Sequence, residues 1–272
     1  MAESTFDRDA FTRALDTRVF GRRLIREGTV ESTNDVAWDL LAEGPAGGTV
    51  VVSDAQTRGR GRAGRAWHAT PGRALVLSIA LETEVALGAP GVLPLAAGLA
   101  LTDALDALGA RVRLKWPNDV LAGSKKLAGI LCESRRRRAQ DERGGGDAIV
   151  VGVGVNVSDR PDDLPAGIPA TSLAIEGVVV ARESVAAGFL NAFEPLWTAL
   201  LDRRAGAVIE RWTRRADFWG ESVTVRGASG SLSGIARALD PDGGLVIRQG
   251  SGIDTTVLAG DLELGPAADA RS

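Results

Sequence analysis

Apolar residues in the first 216 positions form short runs and helical stripes. Short uninterrupted apolar runs are typical of buried strands, and they occur at residues 48–53, 74–82, 112–116, 126–133 and 148–157. Apolar residues at helical spacing predict helices over 7–17, from Ser32 to Gly44, over 90–108, and, as two helices, over 182–216. The polar segments 57–67, 117–119 and 134–147 are expected to be loops. This alternation predicts an α/β domain.

The pattern changes after residue 216. Short runs of alternating polar and apolar residues follow, which are typical of short strands: SVTVR, SLSGIARAL, GLVIR and TTVLAG. Residues 240–244, Asp-Pro-Asp-Gly-Gly, predict a hairpin turn between two of these strands. We therefore predict one domain over residues 1–216 and a small SH3-like β-barrel over residues 217–272.

Composition and charge restrict the classes of function. The chain has 272 residues with a formal net charge of -3, whereas a general nucleic-acid binder would be more basic. Its only cysteine, Cys132, and only histidine, His68, rule out an internal disulfide and a metal site rich in these residues. No signal peptide or apolar run long enough to span a membrane is evident. We expect a cytoplasmic protein.

A loop rich in glycine and arginine lies between two predicted strands. Its arginines are Arg58, Arg60, Arg62 and Arg65, and its glycines are Gly59, Gly61 and Gly64. Glycine lets backbone N–H groups approach an anion closely, and guanidinium groups add forked donors. Two interpretations are open, a solvated or RNA-binding loop and an ordered loop that binds a small anionic molecule. The strong strands on both sides favour the second.

Three further motifs are weak when each is taken alone. Residues 115–119, KWPND, end a strand in a turn, where Asn118 and Asp119 are suited to a phosphate or a ribose. Lys126 begins KLAGIL, and residues 152–156, GVGVN, contain two strand glycines that permit close approach of a ligand. Taken alone, these segments are better explained as a plain turn, a surface lysine and an ordinary strand.

The order and spacing of these motifs resemble the biotin protein ligase family. STN at 32–34, Gln56 followed by GRGRAGRAW, KWPND, KLAGIL and GVGVN succeed one another within residues 20–160. The resemblance implies a mixed-sheet catalytic domain of the biotin/lipoate ligase type, which binds biotin and ATP, followed by the SH3-like domain. It implies that biotin reacts with ATP to give biotinyl-5′-AMP and pyrophosphate. Biotin then passes to a lysine of a biotin carboxyl carrier domain, and AMP is released.

The resemblance also implies roles for individual residues. The implied biotin-binding residues are Ser32, Thr33, Asn34, Gln56, Arg60, Trp67, Lys126, Gly129, Leu131 and Val155. The implied ATP- and adenylate-binding residues are Gly59, Arg60, Gly61, Arg62, Gly64, Arg65, Lys115, Asn118 and Asn156. The implied catalytic residues are Lys126, Arg62 and Asp119, the last as the base for the carrier lysine. No direct protein ligand is assigned to a metal. Mg²⁺ is expected to accompany ATP near Asp119.

Other functions and partners remain open. Lipoate or octanoate ligases and transferases share the architecture, and an RNA-binding module or a non-catalytic biotin sensor is a more remote alternative. Many bacterial relatives carry an N-terminal DNA-binding domain. About thirty residues precede the first motif, and a winged helix-turn-helix needs about twice that number. We therefore expect a ligase that binds no DNA and no membrane, as a monomer or a homodimer.

Four positions fall outside the family pattern or are ambiguous within it. His68 is expected in a surface loop, and Cys132 is expected to be a small buried apolar residue. Residues 135–138 are all arginine and are expected at a solvated hairpin tip, with docking of an acidic carrier as the alternative. Lys125 precedes Lys126, so a register error of one residue would exchange their roles.

Overall fold

The computed structural model describes residues 5–137, 145–227 and 230–264, and in them the chain forms two β-sheets. The larger sheet has seven strands in the order β1-β2-β3-β7-β6-β5-β4. Its strands are β1 (Leu24–Val30), β2 (Val50–Gln56), β3 (Leu75–Glu82), β4 (Arg113–Lys115), β5 (Asp119–Ala122), β6 (Lys125–Arg137) and β7 (Gly146–Val155). The β1–β2 pair is parallel and the other pairs are antiparallel, so the predicted mixed sheet is confirmed.

Five α-helices accompany this sheet in the described residues. They are α1 (Arg8–Ala14), α2 (Thr33–Glu43), α3 (Val92–Ala107), α4 (Arg182–Leu201) and α5 (Ala205–Arg215). Helix α2 packs on one face of the sheet, against β2, β3 and β7. Helices α3 and α4 pack together over the large core on the other face. Because both faces are covered, the central strands are continuously apolar, which is why the pattern predicted them. None of the described helices is long and apolar enough to cross a membrane.

Helix α2 begins where the chain enters the site. Ser32, where the sequence predicts the start of this helix, occupies the N-cap position, but its side chain makes no capping hydrogen bond. Ser32, Thr33 and Asn34 are all buried there, at 3–4% exposure. Gly44 follows the helix at its C-cap. The first turn of α2 therefore presents polar side chains to the interior of the protein instead of to solvent.

The structure differs from the predicted elements at the sheet edge and at one hairpin. The edge strand β1 and the four-residue β5 were not predicted, and β5 begins at Asp119, which was expected in a turn. Strands β6 and β7 extend into the predicted loop 134–147. The reason is ion pairing, because Arg136 lies 2.6 Å from Asp147 and Arg137 lies 2.8 Å from Glu82. Three of the four consecutive arginines are thus in a strand, and Arg138 lies outside the described residues.

The second sheet contains five antiparallel strands in the order β11-β10-β9-β8-β12. They are β8 (Ser222–Gly227), β9 (Gly230–Leu239), β10 (Leu245–Arg248), β11 (Asp254–Val257) and β12 (Asp261–Leu264). The predicted turn at 240–244 joins β9 to β10, with the Gly243 amide donating to the Asp240 carbonyl over 3.1 Å. The small β domain is confirmed. The boundary between residues 216 and 217 remains a prediction.

Candidate active site

A cavity of about 500 Å³ opens where α2 begins and where β2, β3, β6 and β7 meet the loop at 57–67. Sixteen of the predicted site residues line it: Ser32, Thr33, Asn34, Gln56, Arg60, Gly61, Arg62, Arg65, Trp67, Lys115, Asn118, Asp119, Lys126, Gly129, Leu131 and Asn156. These residues come from segments up to 124 positions apart, between Ser32 and Asn156. Folding therefore unites motifs that are separate in the sequence.

One end of the cavity is a buried polar cluster. Gln56 Oε1 accepts from the Thr33 amide over 2.8 Å and from Thr33 Oγ1 over 3.1 Å. The buried hydroxyl of Ser78 lies 2.7 Å from Thr33 Oγ1 and 2.6 Å from Asn34 Oδ1. Asn34 Nδ2 donates to Glu133 Oε2 over 2.7 Å. These bonds fix the orientations of an amide, a hydroxyl and a second amide around one small volume.

The middle of the cavity is an apolar slot closed by Trp67. Its indole lies against Gly154 of β7 and near Gly129 of β6, where an added Cβ would meet the ring. Leu131 lines the same slot. The indole nitrogen is buried and has no hydrogen-bond partner among the described residues. Only glycine at 154 lets a flat group lie this close to the strand.

The other end of the cavity is cationic. Lys126 Nζ lies 2.6 Å from Asp119 Oδ1, and Lys115 Nζ lies 4.0 Å from Asp119 Oδ2. Lys126 Nζ is also 5.8 Å from the centre of the Trp67 ring, at the edge of the apolar slot. The backbone of Lys126 is also held by the loop at 169–171. Its amide donates to the Pro169 carbonyl, and its carbonyl accepts from the Thr171 amide. Two ammonium groups thus share one carboxylate, which leaves positive charge for an anionic ligand.

Three arginines of the loop have different partners. Arg60 binds Asp35 through two bonds of 2.6 and 2.7 Å. Arg62 donates to Asn118 Oδ1 over 3.0 Å. Burial lowers the pKa of Arg62, against an opposite effect of Asp261, because a charged group loses solvation there. Arg65 pairs with Asp261 of β12 at 2.5 Å, so the second sheet contacts the loop directly. Of these three, Arg62 is the one most available to a ligand in the cavity.

Three predicted residues do not line the cavity. Val155, predicted as a wall of the biotin pocket, does not line the cavity, because its side chain is fully buried in the large core. Alternation along β7 explains this, since Gly154 and Asn156 face the cavity and the residue between them faces away. Gly59 and Gly64 shape the loop instead. Gly59 closes it with a bond from the Trp67 amide to its carbonyl, and Gly64 has a φ of 74°.

Several lining or supporting residues were missed by the sequence reasoning. Ser78 and Glu133 support the polar cluster, and the loop residues Pro165, Ile168, Pro169 and Ala170 line the cavity beside Lys126. His68 lies in a loop and is exposed, as expected, but it also lines the mouth. Ser78 could have been identified from the sequence, because it is a polar residue within the apolar run LVLSIALE. No such signal marks the loop at 165–170.

The side chains of Asn118 and Asn156 are partly engaged within the protein. Asn118 Nδ2 donates to the Ile130 carbonyl over 2.7 Å, and Asn156 Nδ2 donates to the Thr171 carbonyl over 2.9 Å. Both residues are at least nine-tenths buried and still line the cavity. Each amide is therefore held in one orientation. The side-chain amide oxygens of these two residues, held in fixed orientations, are suited to accept hydrogen bonds from a heterocyclic base or a ribose.

Cys132 does not belong to the cavity. It follows Leu131 on β6, and alternation turns its side chain to the opposite face, where it packs against the large core. Burial raises the pKa of its thiol to about 12, against a smaller opposite effect of Arg62. The expectation of a small buried apolar residue is met in part, because Cys132 is half-buried and packs against the large core.

Comparison with known proteins follows the same division of the chain. Residues 28–156 match the biotin/lipoate A/B protein ligase family, and residues 218–265 match the biotin protein ligase C terminal domain. The biotin--[acetyl-CoA-carboxylase] ligase of Mycobacterium tuberculosis is 34% identical, over 94% of this chain and 98% of that protein. The bifunctional ligase/repressor BirA of Bacillus subtilis is 32% identical, over 92% of this chain and 77% of that protein.

A solved structure agrees with both the sheet and the C-terminal domain. The biotin protein ligase from Aquifex aeolicus in complex with biotin and ATP superposes with a TM-score of 0.72, at 29% identity, over 90% of this chain and 99% of the other. Nearly its whole length is therefore matched by residues of this chain. The chain belongs to the biotin protein ligases of the biotin/lipoate A/B protein ligase family.

Proposed function

We propose that this chain activates biotin with ATP to biotinyl-5′-AMP and transfers the biotin to a lysine of a biotin carboxyl carrier domain. The observation that carries the proposal is the order of surfaces along β7. Asn34 lies over Gly152, Trp67 lies over Gly154, and Asn156 comes next on the same face. Positions two apart on a strand are about 6.6 Å apart, so polar, apolar and polar surfaces succeed one another over about 13 Å.

That order fits an elongated acid with a polar head. The ureido ring of biotin has N–H donors and a carbonyl acceptor, and Thr33, Asn34 and Gln56 are the groups proposed to bind it. The sulfur-containing ring and the aliphatic tail would lie in the slot formed by Trp67, Leu131 and the two strand glycines. The carboxylate would then reach the side of Lys126. Ser32 and the backbone of the loop complete the proposed pocket.

Activation brings two anions together, and the cationic end offsets their repulsion. A carboxylate oxygen of biotin attacks the α-phosphorus of ATP, and the bond to pyrophosphate breaks. The repulsion amounts to several kcal/mol in a partly desolvated site. Lys126, Arg62 and Lys115 are proposed to neutralise the charge that develops on the phosphoryl oxygens. Asn118 and Asn156 are proposed on the nucleotide side, with Asn156 at the base.

Transfer needs an uncharged amine. The amine of the carrier lysine attacks the acyl carbon of the adenylate, the bond to AMP breaks, and the amine loses a proton. Asp119 remains the proposed acceptor of that proton. Its carboxylate already lies 2.6 Å from Lys126 Nζ, so it also orients that lysine in the absence of ligand. No nucleophile from the protein is required.

Mg²⁺ enters the proposal as the companion of ATP. No group of three or more His, Cys, Asp or Glu side chains able to hold a metal ion occurs among the described residues. Among the residues that the structure describes, Asp119 is the carboxylate that lines the cavity. Nucleotide-bound Mg²⁺ uses one or two protein carboxylates together with phosphate oxygens and water. One carboxylate therefore fits an ion that arrives with the nucleotide, and the ion would supply positive charge to the phosphates.

The polar cluster supports biotin over lipoate or octanoate. A dithiolane or a methyl end has no group to pair with Thr33, Asn34 and Gln56. These groups pair with one another and with Ser78 and Glu133 in the ligand-free protein, so an acid that displaces these bonds without replacing them costs about 1–3 kcal/mol for each group. Sites built to hydrogen-bond a substrate reject analogues that lack the partner by about 10⁴-fold or more. We propose this cluster as the determinant of acid specificity.

The remaining features of the proposal concern partners and setting. An ATP-dependent modification of carboxylase subunits and a single thiol support a cytoplasmic location. Action without DNA binding stays a prediction. Monomer and homodimer remain equally compatible with the proposed reaction.

ATP–pyrophosphate exchange with Mg²⁺ and one acid at a time tests the proposed function. Biotin, lipoate and octanoate are supplied separately to the purified chain. Exchange with biotin alone is expected. Exchange with lipoate or octanoate would keep the fold but transfer the function to the related ligases. A folded protein that exchanges with none of them would overturn the proposal, and salt-sensitive RNA binding would then be measured.

A further inference from the structure

Arg60 lines the cavity, but its guanidinium is engaged by two carboxylates, Asp35 and Glu133, that lie outside the five motifs. Its guanidinium makes a two-bond ion pair with Asp35 in the first turn of α2. Its Nη2 also lies 3.7 Å from Glu133 Oε2 on β6. These carboxylates raise the pKa of Arg60, chiefly through the hydrogen bond to Asp35. The fork of the guanidinium is therefore already occupied where a ligand would have to bind it.

Glu133 connects this arginine to the polar end of the cavity. The same oxygen that faces Arg60 accepts from Asn34 Nδ2 over 2.7 Å and from Trp38 Nε1 over 3.2 Å. Three donors thus converge on one carboxylate oxygen. Arg60 is one positive charge against two negative charges, so its removal would leave Asp35 and Glu133 facing each other without a cation.

We infer that Asp35 and Glu133 are positioning residues, which tether the loop 57–67 over the cavity through Arg60 before any ligand binds. Arg60 then contributes a tether through its side chain, and contact with ligand anions falls to Arg62 and to the loop backbone. A loop fixed in advance loses less conformational entropy when the ligand arrives. Such a loop also shields biotinyl-5′-AMP, a mixed anhydride that water can hydrolyse, more effectively. The consequence for catalysis rests on the proposed function, whereas the tether itself does not.

The loop contains a second ion pair that serves as a matched control. Arg58 lies 3.0 Å from Glu31, and the two side chains are 74% and 61% exposed. The Arg60–Asp35 side chains are 37% and 43% exposed and make two bonds. Exposed single pairs contribute little. Glu31→Gln therefore removes a charge beside the same loop without releasing the loop.

Hydrogen exchange of the ligand-free protein tests the tether independently of any reaction. Backbone exchange over residues 57–67 is compared in the wild type, Asp35→Asn, Glu133→Gln, the double variant and Glu31→Gln. Exchange should be about 3- to 10-fold faster in the double variant, because a partly exposed bidentate pair is lost. Glu31→Gln should match the wild type. Wild-type exchange in the double variant, with an unchanged unfolding temperature, would overturn the inference.

A double-mutant cycle shows whether Asp35 acts through Arg60. Asp35→Asn is made in the wild type and in Arg60→Gln, since Asp35 also lies at a helix N-terminus, where its charge has a separate effect. The escape of biotinyl-adenylate from the enzyme without carrier is measured beside the loop exchange. Asp35→Asn should accelerate both in the wild type and neither in Arg60→Gln. Equal effects in the two backgrounds would assign Asp35 to the helix alone. If loop exchange responds and no adenylate forms in any variant, the tether stands and the proposed function fails.

Discussion

Gly154→Ala is the substitution that most directly tests the apolar slot. A Cβ at this position would lie within 3.0 Å of three atoms of the Trp67 indole, a separation that real Cβ atoms do not show. The strand cannot retreat, because Gly154 is paired with Val76 on β3 and with Gly129 on β6. The indole must therefore move into the volume proposed for the tail of biotin.

The expected loss can be worked from this overlap. One extra methyl group in a close-packed region costs about 1–3 kcal/mol. If the displaced indole destabilises the biotin-bound protein by that amount, the affinity for biotin falls by about 5- to 150-fold. The cationic end and Asn156 are not displaced by the methyl group. The KM for biotin should therefore rise within this range, and the KM for ATP should change less than about twofold.

The assay is pyrophosphate exchange at varied biotin and then at varied ATP, with tryptophan fluorescence and thermal unfolding of the same samples. Gly28→Ala is the matched control, because Gly28 also lies in a strand and an added Cβ there meets nothing within 4 Å. The control should keep the wild-type KM values. A folded Gly154→Ala protein with wild-type KM for biotin would refute the placement of biotin beside Trp67. Equal increases in both KM values would indicate general damage to the site.

Three other substitutions or conditions test separate parts of the structure. Lys126→Ala should lower pyrophosphate exchange by about 100- to 1000-fold with little change in unfolding temperature, and near-normal exchange would remove Lys126 from catalysis. Cys132 is half-buried against the large core, so a thiol reagent at about pH 8 should label it more slowly in the native than in the denatured protein, and equal rates would contradict this placement. Asp159 follows β7 and is 2% exposed, and burial raises the pKa of its carboxyl, so its contribution to stability is lost as pH rises above about 4. Asp159→Asn should therefore raise the unfolding temperature more at pH 7 than near pH 4, and an equal or reversed difference would refute this.

The fold was predictable where both faces of a strand are buried. β2, β3 and β7 have continuous apolar runs because α2 covers one face and α3 with α4 covers the other. β1 lies at the edge of the sheet and is partly polar, as LIREGTV, so it lacks such a run. The ends of β6 and β7 were hidden for another reason. Their arginines look solvated in the sequence, and the ion pairs that extend the strands join residues 11 and 55 positions apart.

The site was predictable to the extent that its residues lie in local motifs. Ser78 and Glu133 are single polar residues at the middle and the end of apolar runs, and alternation with known site positions would have placed Glu133 on the cavity side. The same alternation would have excluded Val155. The pair of Arg65 and Asp261 joins residues 196 positions apart and has no local signal. Contacts between the loop and the second sheet had to come from the structure.

The two adjacent lysines show how the strand register decides a catalytic assignment that motifs leave ambiguous. Lys125 pairs with Ala122 at the start of β6 and its side chain is exposed. Lys126 lies one position later, faces the cavity and is bound to Asp119 and to the backbone of residues 169–171. A shift of one residue would point Lys126 to the opposite face. It would also break the pairing of Gly129 with Gly154, which forms the floor beneath Trp67. The register shift between Val120 and Leu121 of β5 interrupts the alternation of β6 between Lys126 and Gly129, so both residues line the cavity. The position of Lys126 therefore depends on this irregularity as well as on the register, and Lys125→Ala is the control in which charge is lost without loss of the site.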